Sequence, residues 1–323
     1  EPLLKTLDIP WLWIRRDGTQ VKSLPSTLIT PLDAYYSNGG AANFAGFFCT
    51  LQTHFTNDEN GACAAPVIHP QAGIYHPNAD GQIFASLDAF LAWRKMPPET
   101  EKARIALIFH KAYMDSGLTG FIDGAIAQIE QAGALAIPLY TTAMGNGEIT
   151  KMLSVDGSLH ADVLINMQIM LNAVGRKAEF EKLGIPVLQA MPYRQGQEAD
   201  WEANPQGLEA QDIPFYLAQP EYAGLIDPLF AAATNKQDGD IVPIQRQLKA
   251  VVDKAMRLAR LQRMDHKQVR TAILYYNYPS GETNLGASFM NVPQSLEHLL
   301  SAYAERGYNV EQRNEQQLIT ELT

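Results

Sequence analysis

The stretch Ala103-Arg-Ile-Ala-Leu-Ile-Phe109 indicates how this chain folds. It is a nearly continuous apolar run, which is typical of a strand that is buried on both faces in a parallel sheet. A helical pattern of apolar residues follows from Phe121 to Ile129, and Gly133 supplies a usual C-terminal cap. The sequence therefore predicts a βα unit at this point.

The alternation of strand and helix patterns continues towards the C-terminus. We predict further strands at Ala134 to Tyr140, Asp162 to Asn166 and Pro186 to Ala190, with a helix from Lys177 to Leu183. Strands that alternate with helices over short links are typical of βαβ units. The predicted fold class is α/β, with a parallel doubly wound sheet domain flanked by partial α/β domains and a long bridging helix.

Changes of pattern predict four regions. Pro97-Pro-Glu-Thr-Glu101 separates two unlike patterns, and an amphipathic pattern from Ile244 to Leu261 predicts one long helix that bridges two domains. The regions are a partial N-terminal α/β region (1–98), the parallel α/β domain (99–235), the bridging helix (236–266) and the start of a further, truncated α/β domain (267–323).

The last region is predicted to contain a strand from Thr271 to Tyr276, a helix from Pro293 to Arg306 and a strand near Asn309-Val310. The chain begins at Glu1 without methionine and stops soon after this short unit. We therefore expect a piece of a larger protein.

Composition disfavours several classes of function. Hydrophobic residues make up 46% of the 323 residues and charged residues 19%, as in globular proteins. The formal net charge of −10 argues against a surface for nucleic acid or anionic lipid. No apolar run approaches the ~20 residues that a membrane-spanning helix needs, and no stretch resembles a signal peptide.

The two cysteines, Cys49 and Cys63, form no CxxC pattern, which disfavours a zinc or redox site. We expect reduced thiols in a cytoplasmic protein. The alternative is a single disulfide between them, because they are close in the sequence.

A long polar loop between a predicted strand and a predicted helix, Tyr275 to Ser295, is the first candidate binding site. Loops of this kind meet helix N-termini, whose free N–H groups favour anions such as carboxylates. The alternative is that its glycines permit turns and its asparagines cap backbone groups. The candidate residues in the loop are Asn277, Gly281, Thr283, Asn284 and Gly286.

Two further candidates follow predicted strands. His110 ends the first parallel strand and Arg194 follows the fourth, and ligands of open α/β sheets bind at these carboxyl ends. A guanidinium there could bind a carboxylate through two parallel hydrogen bonds. Alternatively, His110 is an exposed loop residue, and Arg194 forms a surface ion pair with Glu198 or Asp200.

Other residues favour structural roles. His69 and His76 each neighbour a proline and lack the close ligand spacing of a metal site, so hydrogen bonding is the simpler interpretation. Trp201 could stack on a flat ligand, but an aromatic residue in an apolar setting is more often part of a core.

Several common catalytic patterns are missing from the sequence. It contains neither the Walker pattern GxxxxGK[ST] nor a G-x-S-x-G nucleophile elbow, and Ser116-Gly-Leu-Thr-Gly120 lacks the spacing G-x-G-x-x-G. A P-loop ATPase, a serine hydrolase and a nicotinamide enzyme are therefore disfavoured.

Several short segments, in order, carry a resemblance. Those near the C-terminus are Tyr276-Asn-Tyr-Pro279, Gly281, Asn284-Leu-Gly286, Val292-Pro293, Ser295-Leu296 and Gly307-Tyr308. Those before them are Gly39-Gly40, Asn43, Gly73-Ile-Tyr-His-Pro77, Trp93, Ile185-Pro-Val-Leu-Gln189, Trp201, Pro205-Gln-Gly-Leu208 and Pro220-Glu221. From about Ser37 to the end, the chain resembles the family of the cobaltochelatase large subunit (CobN) and the magnesium chelatase H subunit.

The resemblance implies a very large, ATP-dependent chelatase subunit that binds a tetrapyrrole, either a corrin precursor or a porphyrin, and receives Co²⁺ or Mg²⁺. It also implies that separate AAA+ subunits hydrolyse ATP. The family's metal-handling Glu and His residues are expected further towards the C-terminus. A fragment of this extent would then bind no cofactor and would be inactive alone, although the parent protein is a ligase that forms nitrogen–metal bonds.

We therefore expect this chain to shape one side of a macrocycle pocket and to orient carboxylates. Two alternatives stay open. One is a two-lobed small-molecule binding protein without catalysis, and the other is a scaffold that only docks partner subunits.

Overall fold

The computed structural model describes Leu3, Thr6 and residues 8–14, 18–56, 62–97, 101–142, 147–275, 285–287 and 289–322. The strands are β1 (Trp11–Trp13), β2 (Gln20–Lys22), β3 (Ala72–Ile74), β4 (Arg104–His110), β5 (Leu135–Thr141), β6 (Ser154–Val155), β7 (Ser158–Leu159), β8 (Val163–Asn166), β9 (Val187–Tyr193), β10 (Ile226–Thr234), β11 (Ile241–Pro243), β12 (Gly286–Ala287) and β13 (Met290–Asn291).

The α-helices are α1 (Ser26–Asn38), α2 (Gly40–Thr56), α3 (Leu87–Trp93), α4 (Ala112–Ser116), α5 (Gly120–Gln131), α6 (Glu148–Met152), α7 (Ala173–Leu183), α8 (Glu198–Ala203), α9 (Gln219–Tyr222), α10 (Gln245–Arg263), α11 (Val292–Glu305) and α12 (Glu315–Leu322). A π-helical turn spans Pro214–Ala218.

The main sheet is mixed, with strand order β11-β10-β9-β8-β4-β5-β3. Its inner strands, from β10 to β5, pair in parallel. The edge strands β3 and β11 pair antiparallel with their neighbours. The first parallel strand in the chain, β4, therefore lies between the second, β5, and the third, β8.

The inner strands form because nearly all their side chains leave water. Every residue of β5, β8 and β9 is buried, and so are the five central residues of β4. One apolar cluster joins Ile108 and Ile137 of the sheet to Phe90, Ile149 and Phe180 of helices α3, α6 and α7. Each such buried side chain contributes about 1.5–3 kcal/mol relative to an exposed one.

Helix α5 lies close to the antiparallel edge strand β11. A Cβ atom added at Gly124 would come within 2.3 Å of the Pro243 ring, so only glycine permits this approach. The backbone N–H of Gly120 donates to Asp240 Oδ2 at 3.2 Å at the start of the same helix. These contacts fix the edge of the sheet beside the loop that precedes β11.

The structure corrects several predicted strands. Strand β10, nine residues long, was not predicted. The predicted strand from Thr271 to Tyr276 is wrong over residues 271–275, which form no strand, while Tyr276 lies outside the described residues. The strand near Asn309-Val310 is also absent, since this segment is irregular chain between α11 and α12.

The two cysteines form a disulfide, contrary to the expected reduced pair. The Sγ atoms of Cys49 and Cys63 are 2.06 Å apart, and their Cα atoms are 5.8 Å apart. Nearby, Asn43 binds the backbone of Val67 through both its amide nitrogen and its oxygen, at 2.8 Å each. The chain from residue 62 to residue 70 is thus fastened to helix α2.

The chain divides into two compact units, Glu1–Leu258 and Ala259–Thr323. The first unit contains the main sheet, and the second contains helices α11 and α12. The protein is therefore of α/β type with a mixed sheet, while the four predicted regions stay a prediction.

Candidate functional site

The strand order creates a topological switch point between β4 and β8. The parallel strands that follow β4 in the chain pair on both sides of it, first β5 and then β8, and ligands of α/β proteins bind at the carboxyl ends of the strands beside such a point. His110 ends β4, and Met167 and Gln168 follow β8 directly. The candidate site is the cavity at this edge.

This cavity, which we call the switch-point cavity, has a volume of about 680 Å³, within the range of small-molecule sites. Apolar side chains form most of its wall, with a few polar groups among them. Its lining residues are His110, Ala112, Tyr113, Ser116, Leu118, Met167, Gln168, Ile169, Leu171, Arg194, Asp212, Phe215, Tyr216, Gly239 and Ile241.

Arg194 follows β9 and brings a positive charge to the cavity. Its Nη2 donates to the Tyr113 hydroxyl at 3.1 Å. Burial by itself lowers the pKa of Arg194, but Tyr113, Tyr216 and Asp212 outweigh it and leave that pKa above its usual value. The guanidinium is therefore a permanent cation beside an apolar wall, which suits a carboxylate on an otherwise apolar ligand.

The predicted alternative, an ion pair of Arg194 with Glu198 or Asp200, is not found. Asp200 instead pairs with Lys236, whose Nζ lies 2.7 Å from Asp200 Oδ2. Asp212, the acidic residue in the cavity wall, accepts a hydrogen bond from Gln195 Nε2 at 2.8 Å.

His110 lies at the same edge and is half-buried. The backbone N–H of Ala112 donates to its Nδ1 at 3.1 Å. Burial lowers the pKa of His110, and Lys111 acts in the same direction while Asp115 opposes both. The imidazole is therefore neutral at pH 7.

A buried polar network that the sequence did not predict lies under the cavity. Gln168 Nε2 donates to the Phe109 carbonyl at 3.0 Å, and Arg176 Nη2 donates to Gln168 Oε1. Asn166 Nδ2 donates to Gln189 Oε1 at 2.7 Å. The network joins the ends of β4 and β8 to Gln189 within β9, so it fixes the loop that forms the floor of the cavity.

The sequence contained one signal for this network. Asn166 and Gln168 lie at and just beyond the end of the apolar strand β8, and Gln189 is a polar residue within the otherwise apolar strand β9. Buried polar groups need partners, so such residues should lie together where parallel strands end side by side.

The predicted site residues do not all come together. His110 and Arg194 both line the switch-point cavity. Of the loop residues, Asn277, Gly281, Thr283 and Asn284 lie outside the described residues. Gly286 belongs to β12, where it pairs with Asn291 of β13.

His76 and His69 have hydrogen-bonding partners. His76 is almost completely buried, and its Nε2 lies 3.2 Å from Glu130 Oε1 and 3.0 Å from Arg94 Nη1. His69 Nδ1 lies 3.3 Å from Asp115 Oδ1.

Trp201 belongs to a small core. It packs against the cluster of Tyr193, Ala233 and Ile244, and its ring centroid is 6.2 Å from that of Phe230. Across the described ranges, no group of three or more His, Cys, Asp or Glu side chains could hold a metal ion. Nor is any helix in them long and apolar enough to cross a membrane.

Comparisons with known proteins all point to one family. A family model described as CobN/Magnesium Chelatase matches residues 33–323. The aerobic cobaltochelatase subunit CobN of Sinorhizobium sp is 27% identical over 293 residues, which cover 86% of this chain and 23% of that protein. The chloroplastic magnesium-chelatase subunit ChlH of Oryza sativa subsp. indica is 24% identical, over 86% of this chain and 22% of that protein.

The fold is shared with a solved structure, that of the catalytic subunit of cobaltochelatase from Mycobacterium tuberculosis. The TM-score is 0.68 at 22% sequence identity, over 89% of this chain and 24% of that one. The chain thus spans about a quarter of the length of these relatives. Because the family model matches nearly the whole chain, the protein belongs to the CobN/magnesium chelatase family.

Proposed function

We propose that this chain is part of the large, tetrapyrrole-binding subunit of an ATP-dependent metal chelatase. The subunit takes a corrin precursor or a porphyrin as one substrate and Co²⁺ or Mg²⁺ as the other. The local task of this chain is to hold one side of the macrocycle by a carboxylate side chain. ATP hydrolysis takes place on separate AAA+ subunits in this proposal.

One observation supports the local task most directly. The switch-point cavity combines a mostly apolar wall with the cation of Arg194, which Tyr113 holds in place. A tetrapyrrole has the matching chemistry, since it is a large apolar ring with carboxylates at its edge. Desolvating the ring stabilises the complex, and the charge-assisted hydrogen bond orients it.

We also propose that the main sheet is doubly wound and that helix α10 bridges two domains. The four regions predicted from the sequence and a location in the cytoplasm belong to the same proposal. The loop from residue 275 to residue 295 stays a candidate tetrapyrrole-binding segment.

A titration tests the function. Protoporphyrin IX or a corrin should quench the tryptophan fluorescence of the intact protein that contains this chain, and it should quench residues 1–323 alone only weakly. If the protein binds a sugar or an amino acid tightly and binds no porphyrin, the proposal is wrong, and the alternative of a two-lobed small-molecule binding protein is favoured. If neither class of ligand binds, the remaining alternative is a scaffold that only docks partner subunits.

A further inference from the structure

His110 offers a contact of a different kind from that of Arg194. Both side chains line the switch-point cavity, but Arg194 is charged and His110 is neutral. The parallel register places His110 opposite Thr141 of β5, at the very end of β4. The imidazole is thus carried by regular sheet rather than by a loop.

The hydrogen bond to His110 determines which ring nitrogen carries the proton. The Ala112 N–H donates to Nδ1 at 3.1 Å, and a nitrogen that accepts a hydrogen bond cannot also carry a proton there. The neutral ring therefore has its hydrogen on Nε2. Protonation of Nδ1 would break the bond to Ala112, so the protein opposes the charged form by geometry.

The Nε2–H group is available to a ligand. In the part of the chain that the structure describes, no hydrogen-bond partner is assigned to Nε2. Because Nδ1 already accepts from Ala112, His110 has no free lone pair for a proton.

We propose that His110 is a positioning residue that donates a neutral hydrogen bond to a carbonyl or carboxylate oxygen on a tetrapyrrole side chain. It is not the base that removes protons from the pyrrole nitrogens. This inference rests on the proposed function of the cavity, and it predicts two contacts that respond differently to ligand charge. Arg194 requires an anionic carboxylate, whereas His110 requires only an oxygen acceptor.

Protoporphyrin IX and its dimethyl ester separate these two contacts, because the ester keeps the carbonyl oxygens and loses the charges. In the intact protein, His110→Ala should weaken binding of both porphyrins by about 3- to 10-fold, the range for a neutral hydrogen bond. His110→Gln, whose amide can donate from the position of Nε2, should stay within about twofold of the wild type. Arg194→Gln should weaken binding of the acid far more than binding of the ester.

Three results would overturn the assignment while the wild type still binds porphyrin. The first is that His110→Ala binds both porphyrins as tightly as the wild type does. The second is that His110→Gln loses as much affinity as His110→Ala, and the third is that His110→Ala loses affinity for the free acid alone. The last would mean that His110 acts as a cation. If the wild type binds neither porphyrin, the proposed function fails and the ligand assignment fails with it.

Two-bond ¹H–¹⁵N spectra of protein labelled with ¹⁵N-histidine give an independent reading at pH 7.5. They should show that His110 is protonated on Nε2 alone. The signals of His110 are identified by their absence from the His110→Gln spectrum. A proton on Nδ1 would contradict the inference whatever the binding data show.

Discussion

Arg176 Nη1 lies 3.2 Å from Glu179 Oε2, and both side chains are almost completely buried. Burial lowers the pKa of Arg176, while the charge and the hydrogen bond of Glu179 oppose that effect. Glu179 also accepts from the backbone N–H of Ile149 at 3.1 Å, so one carboxylate connects helices α6 and α7. The pair supports the network under the switch-point cavity through Gln168.

Glu179→Gln should strongly destabilise the protein, because it leaves the Arg176 charge buried without a counter-charge. Breaking a buried pair in this way typically costs about 3–5 kcal/mol. Urea unfolding measures the loss. Glu181→Gln on the same helix is the matched control, since its exposed pair with Lys177, 3.9 Å apart, should contribute at most about 1 kcal/mol. Equal losses in the two variants would contradict the role of the buried pair.

Stability should fall as the pH falls below 6.5, in part because of His76. Burial lowers the pKa of His76, an effect that Glu130 opposes and Arg94 strengthens. Between the ordinary value of 6.5 and the lowered folded value, the unfolded chain binds a proton that the folded chain does not. One such group therefore costs at most about 1.4 kcal/mol of stability per pH unit in that window.

Urea unfolding at pH 7.5, 6.5 and 5.5 measures this dependence. His76→Gln cannot titrate, so its stability should decrease less over the same interval, whatever its stability at pH 7.5. A slope identical to that of the wild type would show that His76 does not contribute.

Tyr113→Phe should reduce porphyrin affinity less than Arg194→Gln does. The phenylalanine removes the hydroxyl that accepts from Arg194 at 3.1 Å but keeps the cation, so we expect a loss of about 2- to 5-fold. Loss of the guanidinium should cost about 10- to 100-fold, as for a hydrogen bond to a charged group. Fluorescence titration gives both values. Arg246→Gln is the control, since Arg246 pairs with Glu202 on the exposed surface, and a similar loss there would indicate a non-specific charge effect.

Reduction of the Cys49–Cys63 disulfide should loosen the segment that it closes. The cysteines are 14 positions apart, and a loop of about this length corresponds to roughly 3 kcal/mol of stabilisation in the chain-entropy model. Hydrogen exchange of α1, α2 and residues 62–70 should accelerate in Cys49→Ser/Cys63→Ser, while exchange of β4 and β5 should not. Non-reducing peptide mapping should first show that Cys49 and Cys63 are joined in untreated protein. If both cysteines are recovered as free thiols, the disulfide is not present.

The sequence predicted the parallel strands best where burial is complete. Strands β4, β5, β8 and β9 are mostly apolar runs, and side chains buried on both faces of a sheet are mostly apolar, so the pattern and the structure have one cause. Strand β10 escaped prediction because its first half contains Asp227 and Pro228, and its pairing with β9 shifts register twice.

The site was predictable only in part. The rule that ligands bind at strand ends singled out His110 and Arg194, which line the same cavity, without any knowledge of which strands are neighbours. The partners of Arg194 required the folded structure, since Tyr113 is 81 positions away. Buried Arg176 could not be recognised either, because a charged helical residue is normally exposed and its burial depends on Glu179 and Gln168.

The central position of β4 has a consequence for how the protein is made. β4 is the first parallel strand to leave the ribosome, yet one of its two neighbours, β8, follows more than fifty residues later. The cavity wall also needs Arg194, Tyr216 and Ile241, so it cannot close before most of the first compact unit has been synthesised. The site proposed for the ligand therefore forms only once the sheet is complete.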